Sequence, residues 1–598
     1  MCTISLDNAM HYVHYVASRA ESAAKEAPMY IETVPNRNSK PAVLLRESRR
    51  EGKRVVKNTL LNLTDWPEDV VEGLRRLLAG ENLVRVDDVF AIERSLPHGH
   101  VEAVLGCMRR LGFDALLASR PCRERDLVLA MIAARVMDPC SKLGTTRLWT
   151  ETTLAQELGV SDARVNELYD ALDWLLARQD KIEKKLAGRH LEEGAMAMYD
   201  LSNSYYEGRT CPLAALGKGR DGKRGMLVIA YGLMTDVQGR PLAVQVYPGN
   251  TGDPATVPDQ VEKLRENFGL SRVVFVGDRG MLTNARIECL REHPGLGWIS
   301  ALRSGEIRKL VEAGDLQLTL FDQYDLAEIV SPEYPGERLV ACFNPPLAEE
   351  RRRTRDELLA ATEKDLRRTA AEAARRTRKP LPDEEIAAKV GRDIGRYKMA
   401  KHFRWSVSQG QLRWERAQDS IEREAQLDGF YVIRTSEPHD RITPEDVVRR
   451  YKALAQVERA FRTLKGVDLR VRPIFHHTED HVRAHVFLCM LAYYVEWHMR
   501  RALAPLLFDD EELPEIRARR HPVAPAQASP SAKRKKATHL TPEGLPVQSF
   551  PTLLAALATR CRNTCRTKTG KNSYTFDRLT EPTPLQAKAF ELLAACTQ

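Results

Sequence analysis

The sequence predicts a mixed α/β, multidomain protein with a helical N-terminal region. Three observations carry this. The chain has 598 residues, too many for one hydrophobic core, so on the order of three or four domains are expected. Between Ala195 and Val276 apolar runs of strand length surround one helical stretch, in the order strand, strand, strand, helix, strand. From Gly99 to Leu191, and again from Tyr451 onward, apolar residues recur at helical spacing. Hydrophobic content of 43% and charge of 29% describe a soluble globular chain. The run Val486 to Val495 is too short to span a bilayer and ends at Glu496. The opening MCTISLDNAMHYVHYVAS lacks the basic start and apolar core of a secretory signal. Eleven scattered cysteines fit a reducing compartment, so a cytoplasmic location without membrane association is expected. The net charge of +9 permits nucleic-acid binding without demanding it.

In chain order, residues 1–95 read as a small mixed module. Pro41 to Leu63 is extended around the turn-prone Glu51-Gly52, and Arg46, Arg49, Arg50, Lys53, Arg54 and Lys57 crowd that hairpin. Such a hairpin binds phosphates or is an edge protected by charge. Residues 96–192 are helical. Within them LAQELGVSDARVNELYDAL, Leu154 to Leu172, has the grammar of a helix-turn-helix and equally of an ordinary helical hairpin. Residues 193–305 hold the strands. Ala195 to Tyr199 runs into Asp200, Met226 to Thr235 and Pro241 to Tyr247 form a hairpin, and the fully apolar Val273 to Val276 ends at Gly277-Asp278. Apolar strands of that kind are buried on both faces, and ligands gather at their carboxyl ends. Residues 306–426 interrupt this domain with a helix rich in both charges, expected to be a solvated, ion-paired arm. Residues 427–505 resume it with Gly429 to Arg434 and two helices. Residues 506–548 read as a flexible basic linker around Lys533-Arg534-Lys535-Lys536, and residues 549–598 as a short helix with a basic tail.

Tyr451 to Lys465, YKALAQVERAFRTLK, is expected to be one helix. Ala453, Val457, Ala460, Phe461 and Leu464 fall on one apolar stripe; Tyr451, Glu458, Arg462 and Lys465 fall on a second, with Leu454 at the seam. Three carboxylates then stand out: Asp200, Asp278 and Glu458. Carboxylates of this kind hold two Mg²⁺ ions about 4 Å apart in phosphodiester chemistry, one activating the attacking oxygen and one stabilising the leaving oxygen. Arg462 and Lys465 beside Glu458 can neutralise phosphates of a bound strand.

Those three acids, in order and with compatible spacing, resemble the insertion-sequence transposases of the DDE superfamily, in the group with a Y-x2-R-x3-E-x6-K signature. Tyr451, Glu458 and Lys465 match its spacing, VGDRGM at Val276 to Met281 is similar to its D-R-G motif, and MYDLSNSYYEG at Met198 to Gly208 holds the first aspartate. DPCSKLGTTRLW, GRPLAVQVYPGNTGDPAT, GERLVACFNPPLA and RVRPIFHHTEDHVRAHVFL also resemble that group, so the likeness spans about residues 40 to 500. The resemblance implies a ribonuclease-H-like core, in two parts at 193–305 and 427–505, split by the insertion. It implies Asp200, Asp278 and Glu458 as ligands of two Mg²⁺ ions, with Mn²⁺ as a substitute, and Tyr451, Lys465 and Arg279 as contacts to the element's end. One departure is plain: the signature arginine falls at Leu454, which cannot bind phosphate, leaving Arg462 as the candidate. The implied activity is cleavage at the ends of a bacterial insertion sequence and joining of the 3′-OH to target DNA, by a homodimer in a synaptic complex on the nucleoid. A ribonuclease-H-like nuclease without strand transfer, or a DNA-binding repressor of its own element, are the alternatives.

Other clusters point elsewhere less strongly. His477, His481 and His485 recur at helical spacing but lack a completing ligand, so packing is expected rather than zinc. Cys561 and Cys565 lack a second pair and are expected to be free thiols. Trp405 and Trp414 can stack on an unpaired base, though packing within the insertion is expected.

Overall fold

The computed structural model describes residues 29–37, 39–80, 90–217, 225–376, 378, 380–568 and 574–596. The N-terminal stretch read for a signal sequence lies outside them. The chain divides into two compact units, one of Met1–Ser95 with Asn563–Arg578 and one of Leu96–Arg562 with Leu579–Gln598. No described helix is long and apolar enough to cross a membrane.

In the smaller unit β1 (Met29–Val34), β2 (Ala42–Glu51) and β3 (Arg54–Asn62) form an antiparallel sheet. Helix α1 (Glu68–Leu78) packs on it around Leu45, Leu63, Val71 and Leu74. Glu51 pairs with Arg54, so Gly52-Lys53 is a two-residue turn, and Gly52 has φ of 60°, which glycine adopts without strain. The expected basic hairpin is therefore present. Arg46 and Lys57 both reach Glu32 of β1, at 2.6 and 2.9 Å. An acid from the neighbouring strand thus neutralises two of its six cations. Strand β4 (Phe90–Pro97) follows.

The larger unit begins with a helical layer: α2 (Gly99–Arg110), α3 (Phe113–Leu117), α4 (Arg123–Met137), α5 (Lys142–Glu151), α6 (Leu154–Glu157), α7 (Val165–Leu176) and α8 (Gln179–His190). The helix-turn-helix reading does not survive as a DNA reader. Its first helix, α6, has only four residues. Its second, α7, buries Leu168, Ala171, Leu172 and Leu175. The residues α7 turns outward include Asn166, Asp170 and Asp173, an acidic face that would repel phosphates.

The central sheet takes β5 (Met196–Tyr205), β6 (Ala215–Leu216), β7 (Leu227–Thr235) and β8 (Pro241–Pro248). After helix α9 (Val257–Glu262) come β9 (Val273–Val276), α10 (Asn284–Arg291), β10 (Leu296–Ala301), α11 (Ser304–Glu312), β11 (Leu326–Ile329) and β12 (Arg338–Phe343). Its order is β11-β12-β15-β10-β9-β5-β7, with β6 and β8 both on β7, where β15 (Phe430–Thr435) arrives late in the chain. β5, β9 and β10 are parallel and their outer neighbours antiparallel. The apolar β9 is buried on both sides as its composition requires: Val274 and Val276 face one core cluster, Val273 and Phe275 the other.

The insertion is more than an arm. β11 and β12 extend the sheet itself, pairing through β12 to β15. Helices α12 (Pro345–Arg375) and α13 (Asp383–Arg396), strands β13 (Phe403–Ser408) and β14 (Gln411–Arg416), and α14 (Gln418–Ala425) share a separate small core. α12 carries a seam of buried residues: Arg355, Leu359, Thr362, Leu366, Thr369 and Ala373, spaced alternately by four and three. The seam is hard to see in sequence because threonine takes alternate positions. Their hydroxyls are satisfied, Thr362 by the Leu358 carbonyl at 2.8 Å and Thr369 by Asp393 at 2.7 Å. Ion pairs such as Arg352–Glu349 line the outer face, as expected.

The chain ends with α15 (Pro444–Lys452), α16 (Leu454–Lys465), α17 (Glu479–Leu503), α18 (Leu513–Arg519), α19 (Pro530–Thr538), α20 (Phe550–Ala558), β16 (Cys561–Thr567), β17 (Thr575–Leu579) and α21 (Pro584–Ala594). Residues 506–548 are thus structured where a flexible linker was expected. Lys535, inside the basic run, is 1% exposed; its ammonium donates to the carbonyls of Ala504 and Asp509 and pairs with Glu511. A buried lysine held by three oxygens reads in sequence like a solvated one. The expected C-terminal tail is likewise a strand pair and a helix.

Candidate active site

Parallel pairing of β5 with β9 ends at Met198 opposite Val276. Two residues further along each strand stand Asp200 and Asp278. Asp278 follows its strand's end, as expected. Asp200 does not: β5 continues to Tyr205 because β7 goes on pairing with it. Residues alternate across a strand. Met198 faces the cluster containing α16, while Tyr199 and Leu201 face the opposite one, so Asp200 shares the α16 side.

The expected single helix from Tyr451 to Lys465 is two. α15 ends at Lys452, Ala453 turns, and α16 begins at Leu454. The apolar stripe is nevertheless buried at Val457, Ala460, Phe461 and Leu464. This docks α16 on β5 and turns Glu458 outward.

Asp200, Asp278, Glu458 and Tyr451 line one pocket of ≈ 270 Å³. The backbone aims the aspartates. An Asp200 oxygen accepts from the Leu201 amide at 2.9 Å. One Asp278 oxygen accepts from the amides of Gly280 and Met281, at 3.0 and 2.8 Å. The D-R-G turn is therefore a cradle that orients its own acid. Burial pushes the Tyr451 phenol up to about 12, with the negative charges of Asp278 and Glu458 adding and Arg279 opposing. The phenol stays a hydrogen-bond donor at neutral pH. Arg279 is exposed, and its carbonyl accepts from Arg303 at 3.3 Å.

The other expected contacts are arranged differently. Leu454 lines the pocket itself, so the missing signature arginine leaves an apolar wall. Arg462 is exposed and does not line it. Lys465 is half-buried: its ammonium donates to Ser202 at 2.5 Å and lies over the rings of Tyr231 and Phe461, 5.9 and 5.8 Å from their centroids. Ser202 escaped the sequence reading, although its place two residues after Asp200 on a strand puts it on the same face. Lys452 also lines the pocket and donates to the Pro522 carbonyl at 2.6 Å. Nothing in its sequence context marks it.

The three carboxylates suit Mg²⁺ in type, and the pocket has room for ions with their waters. Among the described residues no three His, Cys, Asp or Glu side chains form a ready-made metal cage. Mg²⁺ needs none, since it keeps several waters and takes one or two carboxylates plus substrate oxygens. Residues Asp200, Asp278 and Glu458 would hold it.

The alternative clusters resolve as packing. His481 pairs with Asp173 at 3.3 Å, His485 is buried and meets the Val471 carbonyl at 3.1 Å, and His477 meets Thr210 at 3.2 Å, so the three do not converge. Cys561 and Cys565 are free thiols. Trp405 and Trp414 sit opposite each other across β13 and β14, with Trp414 packed on Phe403.

Residues 214–495 match the family described as Transposase DDE domain. Over that span the chain is similar to a transposase DDE domain. The matched span of this domain includes Asp278 and Glu458 and begins after Asp200. No curated protein matches the chain. A solved structure of a piggyBac transposase synaptic complex with hairpin DNA matches at 10% identity and a TM-score of 0.33, over 77% of this chain and 78% of that one.

Proposed function

We propose that the chain is a metal-dependent DNA transposase that cuts the ends of an insertion sequence and joins the freed 3′-OH to target DNA, on a ribonuclease-H-like core. The observation that carries this is the convergence of Asp200, Asp278 and Glu458, from three separate elements, on one pocket inside a fold whose strand order favours such a core. Counting β5, β7, β8, β9 and β10 as first to fifth, the sheet runs third, second, first, fourth, fifth, with Asp200 on the first strand and Asp278 two residues past the end of the fourth.

In this reading Asp200, Asp278 and Glu458 hold two divalent cations, which when bound supply Lewis-acid stabilisation of the attacking and leaving oxygens. The Gly280 and Met281 amides keep Asp278 aimed before substrate arrives, so little reorganisation remains at the moment of reaction. Tyr451 stays protonated and donates a hydrogen bond towards a phosphate oxygen at the pocket wall. Lys465, held by Ser202 on the Asp200 face, places positive charge beside the strand path. The Leu454 wall excludes water from one side and makes no phosphate contact.

A pre-cut element end and a supercoiled target, incubated with the full chain and Mg²⁺, test the reading. Joined product supports it. Cutting of an uncut end without any joining would replace it with a nuclease, and metal-independent end binding without cutting would replace it with a repressor.

A further inference from the structure

A second cationic site lies away from the three carboxylates. The segment between α3 and α4 and the junction of α7 with α8 enclose a cleft of ≈ 600 Å³. Arg120, Arg178, Lys181 and Lys185 line it, against one acid, Glu124. Two of the cations are fixed by the fold. Arg178 stacks on Trp174, 3.9 Å from the ring centroid, and donates to the Trp174 carbonyl at 3.0 Å. Lys185 donates to the carbonyls of Ala115 and Leu116 at 2.6 and 3.1 Å. The other two, Arg120 and Lys181, are exposed and make no hydrogen bond or ion pair with the described residues. On α8 the exposed Lys184, outside the cleft lining, adds a further cation beside Lys181 and Lys185 and extends the charge along the helix.

We propose that this cleft and the adjoining face of α8 form a DNA-backbone site, in which the phosphodiesters of a bound duplex lie across Arg120, Arg178, Lys181 and Lys185. The proposal rests on the transposase reading and assigns the helical layer its DNA contact. Four convergent cations against one acid form an anion site. A line of cations rather than a closed pocket fits a polyanion better than a free phosphate. Fixed guanidinium and ammonium groups lose little freedom on binding, while Arg120 and Lys181 gain the partners they lack. The site lies at the far end of α7 from the supposed helix-turn-helix, whose acidic face it does not use.

The test measures equilibrium binding of a fluorescent duplex by the full chain over a range of salt concentrations. Wild type is compared with the double variant Arg120→Gln, Lys181→Gln and with the charge-conserving Arg120→Lys, Lys181→Arg. Loss of two phosphate contacts should make the plot of log affinity against log salt shallower by about 2 for the glutamine variant. The conservative variant should keep the wild-type slope, and both should melt like wild type, since these side chains are exposed. An unchanged slope and affinity in the glutamine variant would overturn the proposal. So would pyrophosphate that binds wild type, is lost in that variant, and leaves duplex binding untouched; the site would then serve a small phosphate. If wild type bound and cut DNA while the glutamine variant matched it, only this site would fall. If wild type bound no DNA, the transposase reading would fall with it.

Discussion

Gly280 gives a graded test of how far the aim of Asp278 matters. A Cβ built on Gly280 would lie 3.3 Å from one Asp278 oxygen and 3.5 Å from the other. The first distance is a little under ordinary contact, so the carboxylate must yield by a few tenths of an ångström. It cannot do so freely, because the Gly280 and Met281 amides hold the nearer oxygen at 3.0 and 2.8 Å. A displacement of 1 Å in a catalytic group costs about 100-fold in rate, so Gly280→Ala should slow end cleavage roughly 3- to 5-fold. Its melting temperature should barely move, since the three atoms nearest the new methyl all belong to that carboxylate. Gly305→Ala is the control: nothing lies within 4 Å of its built Cβ, and it sits in α11. Single-turnover cleavage of a labelled element end, at saturating protein, measures the effect. Full wild-type rate in Gly280→Ala, or an equal loss in Gly305→Ala, would refute the claim that the D-R-G turn sets the position of Asp278.

Three further expectations follow from buried contacts. Ser202→Ala removes the acceptor of the half-buried Lys465 ammonium at 2.5 Å and should cost about 1.5 kcal/mol, read as a lower urea midpoint, with weaker binding of the element end. Arg434→Met breaks a buried fork in which both Glu337 oxygens accept at 2.6 Å. Arg291 still reaches Glu337 at 2.9 Å, so the loss should sit near the low end for a broken buried pair, about 3 kcal/mol, and limited proteolysis should open the sheet around β15. Burial pushes the Glu496 carboxyl up to about 7, even though Arg500 at 2.6 Å opposes it. Its folded-state value lies above the ordinary 4.5, so the folded protein holds the proton longer than the unfolded chain. The stability this lends is full below about pH 4.5 and is lost as pH rises towards 7. Glu496→Gln should therefore melt progressively higher than wild type across that window, and parallel curves would contradict it.

Much of this was legible in the sequence, for identifiable reasons. β9 matches the expected Val273 to Val276, because a four-residue run of valine and phenylalanine is too short for a helix and reads as a buried strand. The burial of Val457, Ala460, Phe461 and Leu464 followed from spacing alone. Several departures share a cause: partners distant in sequence. Glu32 neutralises two of the hairpin's six cations, Glu511 and two carbonyls hold the buried Lys535, and Asp393 satisfies Thr369 inside an interhelical seam. The break at Ala453 is invisible in a segment of good helix formers, since alanine has the highest propensity for a helix interior. The supposed helix-turn-helix failed because the same grammar serves any helical hairpin, and only burial distinguishes them. Within the site, Asp278, Glu458 and Tyr451 stood out through their motifs, whereas Ser202 required knowing that β5 runs past Asp200.

The most direct test of the central claim is metal-dependent cleavage of a labelled duplex carrying the element's end, comparing wild type with Glu458→Gln. Glu458 is exposed on α16 and lines the pocket with both aspartates, so the amide should leave folding and end binding intact. Wild type with Mg²⁺ should cut at the element boundary, and the variant should lose about 100- to 1,000-fold, the scale of an electrostatic group removed from a reaction centre. Equal cutting by both proteins would contradict that claim and remove Glu458 from the chemistry.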